Sequence, residues 1–316
     1  KMGSASSLSN KDVYREHGIW AINVSLQGGN AYQRSPVKRS RHYKDGPGKG
    51  SLISAFQPDG SLKADWMKRL LRLVKELDRR DMILDLMYFY QGRDEVLESP
   101  AAIDQAVGNA TDWLIENDCP NVIIEIANEH DVSSYDHDRY IHKAMEHLIE
   151  LARSRFEEKK AQFRLPVSVS TGGSMRVYEG VRDHADLVII HGNNRTPEEK
   201  RIRVKELFLD PSMPGPIYMN EDNNGRDTTP ETLRRELASC DAVFDNGGSW
   251  GYMPWVQVQM FPFPHFMPAP GTEVRLEMPL GERDPTYFHA VLEHLRNRVM
   301  VGPPSCSLSS EVSKAD

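Results

Sequence analysis

Two glutamates, Glu129 and Glu221, each stand where an apolar run stops. The stretch Val122-Ile123-Ile124-Glu125-Ile126-Ala127-Asn128-Glu129-His130 passes from a near-continuous hydrophobic segment into an amide, a carboxylate and an imidazole. Pro216-Ile217-Tyr218-Met219-Asn220-Glu221-Asp222 repeats the design. One such carboxyl can give up a proton while another attacks an electrophile, provided that the fold brings the two together. A third run, Leu187-Val188-Ile189-Ile190, ends in His191 and adds an imidazole of the same placement.

Apolar runs of this length suit strands buried on both faces of a parallel sheet. Seven are visible, over 19–27, 82–90, 122–128, 166–171, 187–190, 216–222 and 249–253. Helical stretches alternate with them. The segment 64–80 carries Trp66, Leu70, Leu71, Val74 and Leu77 at helical spacing. Ser99-Pro100 is an N-cap followed by proline, and Ile103, Val107, Ala110, Trp113 and Leu114 form the stripe behind it. A helix is expected over 138–159, and Thr196-Pro197-Glu198-Glu199 is a capping box. Thr229-Pro230 and Asp284-Pro285 open two more helices. The alternation predicts an α/β fold, a TIM (β/α)8 barrel whose first strand is not evident. The stub 12–17 reads as the end of a helix that such a strand would precede, and 272–276 alternates like a surface hairpin. A doubly wound open sheet is the structural rival, but no glycine-rich phosphate fingerprint follows an early strand.

A barrel collects the polar residues at strand C-termini around one mouth. Asn23, Gln27, Tyr88, Gln91, Asn128, Glu129, His191, Glu221 and Trp250 should share it. His191 would orient Glu221 or touch the ligand, although a buried histidine satisfied by a neighbour has the same sequence appearance. Trp250 offers a flat apolar face, or ordinary packing. Tyr88, Gln91, Asn23 and Gln27 are further contact candidates. His130 is one residue past Glu129 and should turn away from the mouth. Asp222 alternates into the wall, and Asp85 lies too early in its strand to reach a ligand, as a buried partner inside the barrel would.

At 316 residues, with 39% hydrophobic and 27% charged positions, the chain has ample core for one domain, expected over 11–301. Residues 1–10 read as a flexible start or expression scar, and 302–316 as a flexible tail. No apolar run reaches the roughly 18 residues of a membrane span. A net charge of -7 argues against nucleic acid as a partner. Three cysteines at unrelated spacings form no zinc motif. Secretion after loss of a signal and residence in the cytoplasm both fit. The long stretch from Gly28 to about Gly60 is basic, as a solvated charge run or as a contact for an acidic ligand. Residues 254–270, with Trp255, Phe261, Phe263, His265 and Phe266 among prolines, are apolar enough to wall a cleft or to mediate self-association.

Asn128-Glu129 on one strand, Glu221 on the third strand after it, His191 between them and Trp250 on the last strand resemble clan A, the retaining glycoside hydrolases built on (β/α)8 barrels, as an outlying cellulase-like family. The resemblance spans 19–253. It implies a carbohydrate substrate, no cofactor and no metal, Glu129 as acid/base, Glu221 as nucleophile, and Asn128 on the hydroxyl beside the anomeric carbon. Retaining chemistry needs the two carboxyls roughly 5–5.5 Å apart, with the acid kept protonated by its neighbour's charge. Two rivals stand beside it. Glu129, His191 and Glu221 could ligate a divalent metal, as in barrel sugar isomerases and metal-dependent hydrolases. Alternatively the barrel binds carbohydrate without cleaving it.

Overall fold

The computed structural model describes residues 11–27, 54–222, 229–253 and 285–301. The basic stretch 28–53, the apolar segment 254–270 with its self-association reading, the alternating stretch 272–276 and both termini lie outside the described residues.

All seven expected strands are present, each joined to the next in parallel. Strand β1 (Ala21–Ser25) pairs with β2 (Ile83–Phe89), β2 with β3 (Val122–Ala127), and β3 with β4 (Val167–Ser168). After Val169 the same extended run continues as β5 (Ser170–Thr171), which passes the ladder to β6 (Val188–His191), β7 (Ile217–Asp222) and β8 (Gly248–Tyr252). Among the described residues, the outer edges of β1 and β8 carry no further strand. A cavity of about 880 Å³ lies between them, lined by Asn23 and Ser25 on one side and Trp250 to Met253 on the other.

The helices are α1 (Lys11–Glu16), α2 (Ala64–Asp78), α3 (Pro100–Glu116), α4 (Met145–Glu158), α5 (Glu179–His184), α6 (Pro197–Leu209), α7 (Pro230–Phe244) and α8 (Pro285–Val301). Helix α2 buries Met67, Leu70, Val74 and Leu77, a stripe at the predicted spacing. Ser99 caps α3 by accepting from the Ala102 amide at 3.2 Å. At α6 the Thr196 hydroxyl accepts from the Glu199 amide at 3.2 Å and Glu199 accepts from the Thr196 amide at 2.7 Å, the reciprocal box expected. The helix expected over 138–159 is shorter. Positive φ at His137, Asp138 and Arg139 breaks its start, a four-residue turn follows over Tyr140–Lys143, and α4 begins only at Met145. No helix among the described residues is long and apolar enough to cross a membrane.

Alternation sorts the strand side chains. Asn23, Asp85 and Ile123 are register partners, as are Ser25, Met87 and Glu125, and these point into the barrel. Leu84, Leu86, Ile124 and Ile126 face the helices and belong to the main hydrophobic cluster, while Val188, Ile190, Ile217 and Met219 anchor a second cluster under α6 to α8.

Candidate active site

The C-terminal ends of β3, β6 and β7 converge on one group. The register slips between Ile190 and His191 on β6, and again between Met219 and Asp222 on β7. Irregularities of this kind re-aim side chains at strand ends, and here they pair His191 with Glu221. Glu129, just beyond β3, has φ of 47°, a left-handed conformation that costs a non-glycine residue about 1–3 kcal/mol. Ser170 holds it there: its hydroxyl accepts the Glu129 amide at 2.9 Å and its carbonyl accepts the His130 amide at 3.1 Å.

His191 lies between the two glutamates. Its Nδ1 is 3.1 Å from Glu129 Oε1 and 3.7 Å from Glu221 Oε2. The ligand atoms of all three residues fall within 4.8 Å of one another. His191 is fully buried, whereas Glu129 and Glu221 keep 16% and 18% of their side chains exposed. Gln91 Nε2 donates to Glu129 Oε2 at 2.9 Å, and Asn128 Nδ2 donates to Gln91 Oε1 at 2.5 Å. Asn193 Nδ2 donates to Glu221 Oε1 at 2.6 Å.

Charges in so small a space shift one another. Burial works against an imidazolium at His191, but the carboxylates of Glu221, Glu129 and Glu125 outweigh it and raise the pKa to about 9. Burial pushes Glu221 up, the charge of Glu129 adds to this, and His191 and the Asn193 amide pull it back. Glu221 therefore ionises above the ordinary carboxylate range. A metal at this triad would have to displace the His191 proton that the neighbouring carboxylates favour. Cys240, Asp241 and His294 also bring ligand atoms within 4.8 Å, away in the helix layer, where Arg298 Nε already sits 3.2 Å from Asp241.

Of the residues read from the sequence, Glu129, Glu221, His191, Asn128 and Gln91 come together. Tyr88 does not. It faces the helices, fully buried, with its hydroxyl 3.1 Å from Thr111 on α3, because alternation along β2 sends Met87 inward instead. Gln27 is tied to the backbone, accepting from the Tyr90 amide at 3.0 Å and donating to the Arg93 carbonyl at 3.1 Å, and so braces a loop. Trp250 is the register partner of Met219 and shares its helix-facing side; its indole donates to Asp222 Oδ2 at 2.7 Å and is 8% exposed, leaving only an edge on the cavity. Asn23 lies a layer below the mouth, donating to Asp85 at 2.9 Å. His130 points away, stacked on His142 with ring centroids 5.3 Å apart. Asp222 is a wall residue, as expected, bound to Lys200 Nζ at 2.7 Å with both side chains fully buried. Gly192 makes room for that pair, since a Cβ there would come within 3.1 Å of Asp222 Oδ1 and 3.0 Å of Lys200 Cε. Sequence reasoning missed Asn193, whose only signal was its place two residues after His191.

No protein-family model and no curated protein matches this sequence. Solved structures do resemble it. A family 5 xyloglucanase from Paenibacillus pabuli has a TM-score of 0.53 at 9% identity, over 80% of this chain and 82% of that one. A glycoside hydrolase family 5 enzyme from Prevotella bryantii B14 has a TM-score of 0.51 at 10% identity, over 79% and 90%. A Bacteroides vulgatus protein, provisionally assigned as a glycoside hydrolase, has a TM-score of 0.53 at 12% identity over 79% of this chain, which spans only 48% of that protein's length. At such identities the likeness is one of fold, and the fold is the (β/α) barrel that the strand ends predict.

Proposed function

We propose that this chain is a retaining glycoside hydrolase that cleaves O-glycosidic bonds of an oligo- or polysaccharide, with Glu129 as acid/base and Glu221 as nucleophile, in a single domain over 11–301. The observation that carries the reading is the pair of partly exposed carboxyls at one barrel mouth, their nearest oxygens within 4.8 Å. That separation supports the double-displacement geometry of roughly 5–5.5 Å rather than the roughly 6.5–9.5 Å that leaves room for a water in inverting enzymes. The neighbours that share the fold include a xyloglucanase, which suits a carbohydrate substrate.

The residues divide the work. Glu221 must be ionised to attack the anomeric carbon, and the His191 charge and the Asn193 amide favour that form. Glu129 must pass a proton to the leaving oxygen, and His191 Nδ1, 3.1 Å away, is placed to supply it. Gln91 fixes the other Glu129 oxygen. In the second half, Glu129 takes a proton from the water that cleaves the glycosyl-enzyme ester, and the proton account closes. Asn128 is assigned to the sugar hydroxyl beside the reacting carbon.

Hydrolysis of a panel of aryl glycosides and polysaccharides by wild type, Glu129→Gln and Glu221→Gln, with and without a chelator, tests this. We expect metal-independent cleavage that Glu129→Gln lowers by about 10²–10⁴-fold. Abolition by the chelator alone would move the triad to metal chemistry, and binding without turnover would make the barrel a carbohydrate-binding protein.

A further inference from the structure

One layer beneath the mouth, four side chains meet on the barrel axis: Asn23 on β1, Asp85 on β2, Glu125 on β3 and Asn220 on β7. Asn23 Nδ2 donates to Asp85 Oδ2 at 2.9 Å and to Glu125 Oε2 at 3.3 Å. Asn220 Nδ2 donates to the same two oxygens at 3.0 and 2.8 Å. Each amide nitrogen has two hydrogens, so each bridges both carboxyls. Asp85 and Glu125 are both 0% exposed. Their other oxygens, Asp85 Oδ1 and Glu125 Oε1, have no hydrogen-bond partner among the described residues.

Two full negative charges in such a place are not tenable. Each buried carboxylate needs a compensating charge, and like charges sharing a site resist ionising together. The titratable groups that face the pair are His191 on β6, Glu221 and Tyr218 on β7, and Tyr135 after β3. His191 alone among them can carry positive charge, and its proton is engaged by the mouth glutamates. The pair must therefore be neutralised in part by a proton of its own.

We propose that Asp85 and Glu125 share one proton, clamped by Asn23 and Asn220, and serve as positioning residues that brace the strand before Glu221 while keeping the negative charge beneath it to one. Asn220 precedes Glu221 directly on β7, so the clamp and the mouth are mechanically continuous. Burial, and then the charge of Asp85, raise Glu125 to about 8, with His191 opposing; burial likewise raises Asp85 against the Asn220 and Asn23 amides. The pair behaves as a unit, and the shared proton leaves only on the alkaline side. The consequence for Glu221 rests on the glycosidase reading. The shared proton itself does not.

Infrared difference spectra of wild type against Glu125→Gln and against Asp85→Asn, at pH 6 and pH 9, test the proton directly. We expect a protonated-carboxyl band in wild type at pH 6 that is lost in each variant, and lost in wild type at pH 9. Thermal melts form the second arm. A carboxyl with a raised folded pKa contributes stability below its unfolded value of about 4.5 that is lost as pH rises through about 8, so wild-type Tm should decline over that window and Glu125→Gln should lose most of the decline. In the double variant the floor is neutral, and the acid limb of any glycosidase pH profile should move to lower pH. Absence of the band at pH 6 would overturn the proposal, most clearly if calcium or sodium chloride also raised the wild-type Tm and neither variant's, which would make the pair a cation site. If the infrared and thermal arms hold while no glycan is cleaved, the pair stands and the glycosidase reading falls.

Discussion

Glu221 and Asp222 are neighbours on one strand, and the structure treats them in opposite ways. Asp222 is fully buried, with Lys200 Nζ on one oxygen and the Trp250 indole on the other, each at 2.7 Å, while Lys200 also reaches Ser239 Oγ at 2.9 Å. Glu221 keeps part of its surface, shares a single imidazole with Glu129, and stands over an open barrel. A carboxylate with dedicated partners on both oxygens is locked in one charge state and pins β7 to α6, α7 and β8. A carboxylate that shares its cation can change charge when a substrate arrives. Alternation at a strand end, bent by a bulge, separates the two roles by one residue.

Substitution should separate them as well. Glu221→Gln should remove orders of magnitude of glycosidase activity while leaving Tm nearly unchanged, measured by hydrolysis assays and melts on the same preparation. Asp222→Asn should do the reverse where the protein still folds. It takes from buried Lys200 the carboxylate at 2.7 Å while Glu236 remains near, a loss of about 1.5–3 kcal/mol for a hydrogen bond to a charged group, visible as a lower denaturant midpoint. Equal loss of stability in both variants would erase the distinction.

His191→Asn ranks next. Without the cation that favours its ionised form, Glu221 should ionise at still higher pH, so the acid limb of kcat/KM should move up as kcat falls. The same variant sharpens the stability side. A histidine whose folded pKa is about 9 contributes stability that is complete below its unfolded value of about 6.5 and is lost as pH rises through 9, so His191→Asn should flatten the Tm profile across that interval. Asn193→Ala should shift the acid limb the same way by less, since one hydrogen bond to Glu221 is lost and the cation remains. Tyr88→Phe should be the mildest. It removes a buried hydroxyl bond to Thr111 worth about 0.5–1.5 kcal/mol and should leave KM for any cleaved glycan unchanged.

The two glutamates were legible because each is a charge at the end of an apolar run, a pattern with few structural uses. His191 was legible for the same reason. Tyr88 and Trp250 were misplaced because a position near a strand end does not say which face a side chain takes. Tyr88 lies on the helix-facing side of β2, and Trp250 follows Met219 across the register to the same side. Gln27 lies beyond the end of β1, where a polar residue serves the loop backbone as readily as a ligand. Asn193 belongs to a loop, whose amides follow no period. The late start of α4 had no glycine or proline to announce it, only three consecutive positive φ values. Asp85 was read correctly as a buried partner, but Glu125 was hidden inside the very run that made Glu129 conspicuous.

The central claim, a covalent double displacement at this mouth, is tested most directly by mass spectrometry of acid-quenched Glu129→Gln after reaction with an aryl glycoside whose leaving group needs no protonation. The account predicts one added glycosyl unit, on the peptide that contains Glu221, and a product of retained anomeric configuration from wild type. A product of inverted configuration with no adduct, or an adduct on any other residue, would contradict it.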